Sequence, residues 1–208
     1  MLVPGLLAIT CHEVSHGFVA WRYGDPTAKM LGRLTLNPLK HVDPFGTVIL
    51  PIFLVIVNSP FLFGWAKPVP VVFENLRKPK TDMIWVSLAG PVTNLLLAVI
   101  SALLYRLIRF GGAPDSSLEN FVLLPLIYML LFSVKFNLFL ALFNLIPVPP
   151  LDGGRVVVGM LPYRLSLQYA RLEPYGMFIL FALLLFGDIS GKIILPLINL
   201  FFSLLIGY

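Results

Sequence analysis

Charge, cysteine and histidine are all scarce in this chain. Only 12% of its 208 residues are charged, 58% are hydrophobic, and mean hydropathy is +0.91. A soluble globule needs more polar surface than this composition supplies, so the chain belongs in a bilayer. The lone Cys11 excludes an internal disulfide framework and fits a reducing or simply cysteine-poor setting. Cys11 is also a poor metal ligand, because His12 beside it points about 100° away around a helix. It reads as a small apolar filler. The net charge of +5 does not describe a nucleic-acid patch. Lys and Arg collect in loops flanking apolar runs, where they report topology. Met1-Leu2-Val3-Pro4 has no basic start, so no cleavable signal peptide is expected.

What the chain does contain is a series of apolar runs near the ~20 residues that a spanning helix needs. Residues 2–23 form the first, stopped by Tyr23-Gly24-Asp25-Pro26. In the basic stretch from Lys29 to Lys40, Arg33-Leu34-Thr35-Leu36 alternates like a short strand. Residues 45–63 are apolar but interrupted by Pro51 and Pro60. Gly64-Trp65-Ala66-Lys67-Pro68 leads to a second candidate strand, Val69-Pro70-Val71-Val72-Phe73, and to a loop with Arg77, Lys78 and Lys80. A helix over 83–110 opens after the capping residues Thr81-Asp82; the polar turn 111–120 and a helix over 121–147 follow. The last apolar region, 175–206, breaks at 187–192 and is either one span or a hairpin. The expected fold is an all-α multi-pass membrane protein forming a single domain over 1–208. It has a transmembrane helix core, a re-entrant segment and short membrane-associated β-strands.

Loop charge orients it. The loops 22–43 and 64–82 are both basic, which places both on the cytoplasmic side. Residues 45–63 then dip in and return, with protein shielding their backbone from lipid. Helix 83–110 runs outward and 121–147 runs back. Arg106 and Arg109 fall on the outer side, against the charge rule. Lys135 falls mid-helix, where a bare ammonium is expensive. This parity puts Asp152 at the same side as the end of the first helix.

The first apolar run carries the chemistry, in His12-Glu13-Val14-Ser15-His16. Histidines four apart on a helix differ by about 40° around the axis, so both imidazoles face one metal ion. Glu13 adjoins the first, placed to take a proton from activated water. Ionisable groups at membrane depth mark working sites. Catalytic zinc takes three protein ligands and keeps one position open. Asp152 is the candidate third ligand, following an inward-running helix with Gly153-Gly154 to bend the chain; His41 is its rival, and an ordinary Asp-Gly turn is the plain alternative. Asp25, Asp43 and His41 otherwise read as residues holding loops by local hydrogen bonds. A metal-ion transporter and an inert membrane scaffold are the competing functions. Helix 83–110 has no acid to serve as a proton relay, which disfavours transport.

The motifs His12-Glu13-Val14-Ser15-His16-Gly17 and Asn144-Leu145-Ile146-Pro147-Val148-Pro149-Pro150-Leu151-Asp152-Gly153-Gly154 resemble the two signatures of site-2 proteases, the intramembrane zinc metalloproteases. Gly64-Trp65-Ala66-Lys67-Pro68-Val69-Pro70 and Ser87-Leu88-Ala89-Gly90-Pro91-Val92-Thr93-Asn94 resemble segments of a compact prokaryotic branch that lacks PDZ and CBS modules. The likeness runs from about Leu7 to Arg155. It implies one Zn2+ held by His12, His16 and Asp152, with Glu13 as base and then acid. It also implies that Asn144 orients substrate or steadies the oxyanion, and it leaves Asn94 as a packing or substrate contact. The implied partners are a transmembrane protein substrate and the lipid bilayer, with the active site opening toward the cytoplasmic side of the cell membrane. No nucleic-acid partner is expected. The oligomeric state is not legible.

Overall fold

The computed structural model describes residues 1–58, 66–110, 117–185 and 188–207. Pro60, Gly64-Trp65, residues 111–116 of the expected outer turn, and Gly187 lie outside the described residues. The helices are α1 (Leu2–Arg22), α2 (Thr27–Met30), α3 (Leu50–Ile56), α4 (Pro79–Phe110), α5 (Ser117–Asn144), α6 (Asp152–Met160), α7 (Tyr163–Ala170), α8 (Gly176–Leu185) and α9 (Leu195–Ile206). Among the described residues, three are long and apolar enough to cross a membrane: α1, α4, and α5 from Phe121 to Asn144. The helical stretch Pro44–Ile56 is apolar but short, at most about 20 Å against the ~30 Å of a hydrocarbon core.

The three long helices pack on one another, and α9 joins α4 and α5. Ala98 and Ala102 let the α5 residues Val134 and Leu138 approach α4 closely, with Tyr105, Ile194, Ile198 and Ile206 completing this core. Polar glue runs through it. Ser101 and Ser133 share a 2.8 Å hydroxyl bond between α4 and α5, and Asn137 Nδ2 donates to the Ser133 carbonyl at 2.9 Å.

Two cations that fitted the expected topology badly have local partners. Arg106 Nη2 donates to the Leu204 carbonyl at 3.0 Å, answering an orphan acceptor in the last turn of α9. Lys135 Nζ lies 4.6 Å from the centre of the Phe202 ring, a cation–π contact in place of a carboxylate.

The expected strands are overturned: among the described residues there is no β-strand. Residues 33–37 and 66–72 are irregular and adjacent, with Leu34 and Val69 both reaching α1 where Gly17 has no side chain. Yet they form no ladder. Pro68 and Pro70 have no N–H to give, and three other donors of the segment are taken elsewhere. Lys67 N–H goes to the His41 carbonyl (2.8 Å), Val69 N–H to Glu13 Oε2 (2.8 Å) and Val72 N–H to Asp25 Oδ2 (2.7 Å). Arg33 Nη2 clasps the Lys67 and Pro68 carbonyls from the other segment. The period-two alternation is real, but these backbone groups bond to Glu13, Asp25, Arg33 and the His41 carbonyl instead of to a neighbouring strand.

Asp25 organises this region. Fully buried, it accepts from Thr27 N–H and Oγ1–H, Val72 N–H and Asn75 Nδ2–H. Burial alone would raise its carboxyl, but these four donors outweigh it and hold the group below its usual range. Asp43 plays a smaller part, accepting Gly46 N–H at 2.6 Å.

Candidate metal centre

The third long helix stops where it is needed. The apolar pattern suggested 121–147, but α5 ends at Asn144 and hands over to the irregular link Leu145–Leu151, whose prolines Pro147, Pro149 and Pro150 cannot sustain a helix. Helix α6 then begins at Asp152 and climbs beside α4, where Gly159 meets the Lys80 carbonyl and Ile84. A broken helix therefore delivers a carboxylate into the bundle instead of to its end. Gly153 and Gly154 serve this differently from the sharp turn expected of them. Both are helical, and a Cβ on either would overlap the link, 2.3 Å from the Leu145 carbonyl oxygen and 2.4 Å from Pro149 N respectively. Their contribution is close approach.

Helix α1 carries His12 and His16 on the face toward α4, as the four-residue spacing requires, and Glu13 about 100° around the axis, where it meets Val69 N–H. Gly90 of α4 lies directly against both rings. At ~1.5 Å per residue, Gly90 is about 16 Å along α4 from Pro79, which sets the depth of the site below that helix end.

The ring nitrogens show what the site is prepared to hold. His12 Nδ1 is 2.5 Å from Asn94 Oδ1, and His16 Nδ1 is 2.7 Å from the Val86 carbonyl oxygen. Both oxygens only accept, so each Nδ1 carries a proton, and in the tautomer with that proton alone each ring turns an Nε2 lone pair inward. Asn94 is itself fixed, its Nδ2 donating to Asn137 Oδ1 (2.8 Å) and the Ala8 carbonyl (3.3 Å).

The inward Nε2 atoms are 3.1 Å apart, and Asp152 Oδ2 is 3.2 Å from one and 3.3 Å from the other. This carboxylate oxygen is buried and accepts no hydrogen bond. Three acceptors thus crowd together without a donor, which is unfavourable unless a cation sits among them. Tetrahedral zinc with ligands at ~2.05 Å separates neighbouring ligand atoms by about 3.3 Å, so the residues fit that ion.

The cavity beside these groups has a volume of about 190 Å³ and is lined by Glu13, Asn144, Ser87 and Arg155, among others. Glu13 Oε2 is anchored by Val69 N–H, and Asn144 Nδ2 donates to the Leu140 carbonyl at 2.9 Å, leaving its second N–H uncommitted to that bond. His41 is elsewhere. It is buried with Nε2 2.9 Å from the Thr35 carbonyl oxygen, and it does not join the cluster of His12, His16 and Asp152.

The motif Ser87-Leu88-Ala89-Gly90-Pro91-Val92-Thr93-Asn94 offers Asn94 as a packing or substrate contact and gives Ser87 and Gly90 no separate role. The missed signal was a small and polar stripe at Ser87, Gly90 and Asn94, which share one face of an otherwise apolar helix.

Comparison with known proteins agrees with this geometry. The family model described as peptidase family M50 matches residues 116–187. The chain is 38% identical over 206 residues to "Putative zinc metalloprotease YwhC" of Bacillus subtilis (strain 168), covering 96% of this chain and 85% of that one. It is 33% identical to "Putative zinc metalloprotease Rip2" of Mycolicibacterium smegmatis (strain ATCC 700084 / mc(2)155), over 89% of this chain and 66% of that one. Identity to zinc metalloprotease MJ0392 of Methanocaldococcus jannaschii (strain ATCC 43067 / DSM 2661 / JAL-1 / JCM 10045 / NBRC 100440) is 26%, over 94% of this chain and 44% of that one. No solved structure matches. A bundle that brings two imidazoles and a carboxylate together inside its apolar helices, and a relative aligned over nearly its whole length, place this chain in peptidase family M50, the zinc metalloproteases.

Proposed function

We propose that this protein hydrolyses peptide bonds of membrane-spanning substrates, with His12, His16 and Asp152 as the zinc ligands and Glu13 as the proton carrier. One observation carries the reading: the three converging acceptors lie well down the bundle and share one cavity with Glu13 and Asn144. Bound zinc supplies a Lewis acid and brings the pKa of water toward neutrality. The chain's own residues do the rest. The Glu13 carboxylate, held at Oε2 by Val69 N–H, accepts the proton of the attacking water and later returns it to the leaving amine. The Asn144 amide offers its second N–H to the carbonyl oxygen as charge develops there. A helical substrate hides its carbonyls in hydrogen bonds, so it must unwind at the scissile bond before attack. The basic loops 22–43 and 64–82 support a site that opens toward the cytoplasmic side of the cell membrane.

The test is the Glu13→Gln variant, purified beside wild type and assayed for metal content and for cleavage of a transmembrane substrate. Zinc at one per chain with cleavage abolished is the expected result. Undiminished cleavage by this variant removes Glu13 from the mechanism, and a wild type that carries zinc across a vesicle membrane without cutting peptides returns the protein to the transporters.

A further inference from the structure

We propose that Ser87 is a substrate-contacting residue, its hydroxyl donating a hydrogen bond to the carbonyl oxygen of the peptide bond under attack. This rests on the protease reading above. Ser87 lies in the first half of α4, is 1% exposed, and lines the same cavity as His12, His16, Asn144 and Asp152. Its Oγ is buried and has no hydrogen-bond partner among the described residues.

That state is unusual for a serine in a helix, which normally returns its hydroxyl to a carbonyl one turn back. Two others here do so: Ser15 Oγ donates to the His12 carbonyl at 2.6 Å and Ser203 Oγ to the Leu200 carbonyl at 2.9 Å. Ser87 Oγ instead has no such bond to its own helix, and Ser87 is one of the residues that line the cavity. An unpaired buried hydroxyl destabilises the fold, so its retention in a packed wall points to an acceptor that arrives with the substrate.

Position identifies that acceptor. The preceding residue, Val86, gives its carbonyl to His16 Nδ1–H, and Gly90, one turn onward on the same face, abuts both imidazoles. Ser87 therefore stands beside the ligand cluster on the α4 wall, while Asn144 reaches the same cavity from the end of α5. Pro91 has no N–H for the Ser87 carbonyl, so the ladder of α4 is also interrupted at this residue. A neutral O–H aimed at a carbonyl oxygen binds more strongly as that oxygen gains charge. The proton stays on Oγ throughout; no bond to Ser87 forms or breaks.

Ser87→Ala is compared with wild type and Ser87→Cys for kcat, KM, zinc content and Tm, using a purified transmembrane substrate in detergent micelles. For Ser87→Ala, kcat should fall on the order of a hundredfold with KM little changed, as when one oxyanion donor is removed. Zinc should remain at one per chain, and Tm should hold or rise because an unpaired buried group has gone. Ser87→Cys, with a weaker donor, should fall between the two. An unchanged kcat in Ser87→Ala overturns the assignment. So does a loss of kcat accompanied by lost zinc or a lower Tm, which marks a purely structural hydroxyl. Where Glu13→Gln is inactive but Ser87→Ala retains full activity, the Ser87 assignment alone falls; where wild type cleaves nothing, both readings fall together.

Discussion

Gly90→Ala adds one methyl group where the structure has no space for it. The new Cβ would lie 2.4 Å from His16 Nε2, 2.5 Å from His12 Cε1 and 2.6 Å from His12 Nε2. Ordinary contacts of this kind begin near 3.5 Å, so the rings must retreat by roughly 1 Å. They have little freedom to do so, since each is tethered through Nδ1, one to Asn94 and the other to the Val86 carbonyl. Metal–ligand distances tolerate only ~0.2 Å, so both Nε2 atoms leave coordinating range. Helix α4 itself benefits, because alanine is favoured over glycine in a helix interior by about 0.5–1 kcal/mol. Overpacking costs about 1–3 kcal/mol, leaving a net loss of stability on the order of 1 kcal/mol. The variant should therefore fold, lose zinc affinity by roughly a hundredfold or more, and show no measurable proteolysis. Metal analysis of purified protein, circular dichroism and a substrate-cleavage assay separate these effects. A Gly90→Ala protein carrying one zinc per chain and cleaving at the wild-type rate would refute the geometry.

Other outcomes follow from the same contacts. Asn94→Ala removes the acceptor that fixes the His12 tautomer and should weaken zinc binding by about 10- to 100-fold in chelator competition; unchanged affinity would show that Asn94 does not orient the ring. Asp25 supplies an acid-sensitive clamp. Its carboxyl titrates lower when folded than when unfolded, so its stabilisation is complete above the unfolded value of ~3.9 and fades as pH falls through the lower folded one. Asp25→Asn should lower Tm at pH 7 and flatten the decline of Tm below pH ~4; parallel acid profiles for variant and wild type would exclude that role.

The apolar periodicity showed the long helices because burial in lipid demands it, and the two signature motifs marked the residues that meet at the centre. What escaped were features decided by partners distant in sequence. Val69-Pro70-Val71-Val72-Phe73 alternates like a strand, but whether a strand pairs depends on where its N–H groups go, and here they go to Glu13 and Asp25. The end of α5 looked like Pro147 because the apolar run continues to it, while the helix stops at Asn144 to let the link fold under Gly153 and Gly154. Lys135 looked misplaced until Phe202 of α9 came beside it. Asn94 belonged to a quoted motif, yet its task depends on His12, Ala8 and Asn137 arriving from two other helices.

The divided helix also bears on biosynthesis. Two imidazoles are translated with α1, but their anionic companion is not translated until α5 has been synthesised. A nascent chain halted anywhere before Asp152 lacks the carboxylate that completes the proposed ligand set. On the proposed mechanism, proteolysis therefore waits on a residue that lies beyond all three long helices in the chain.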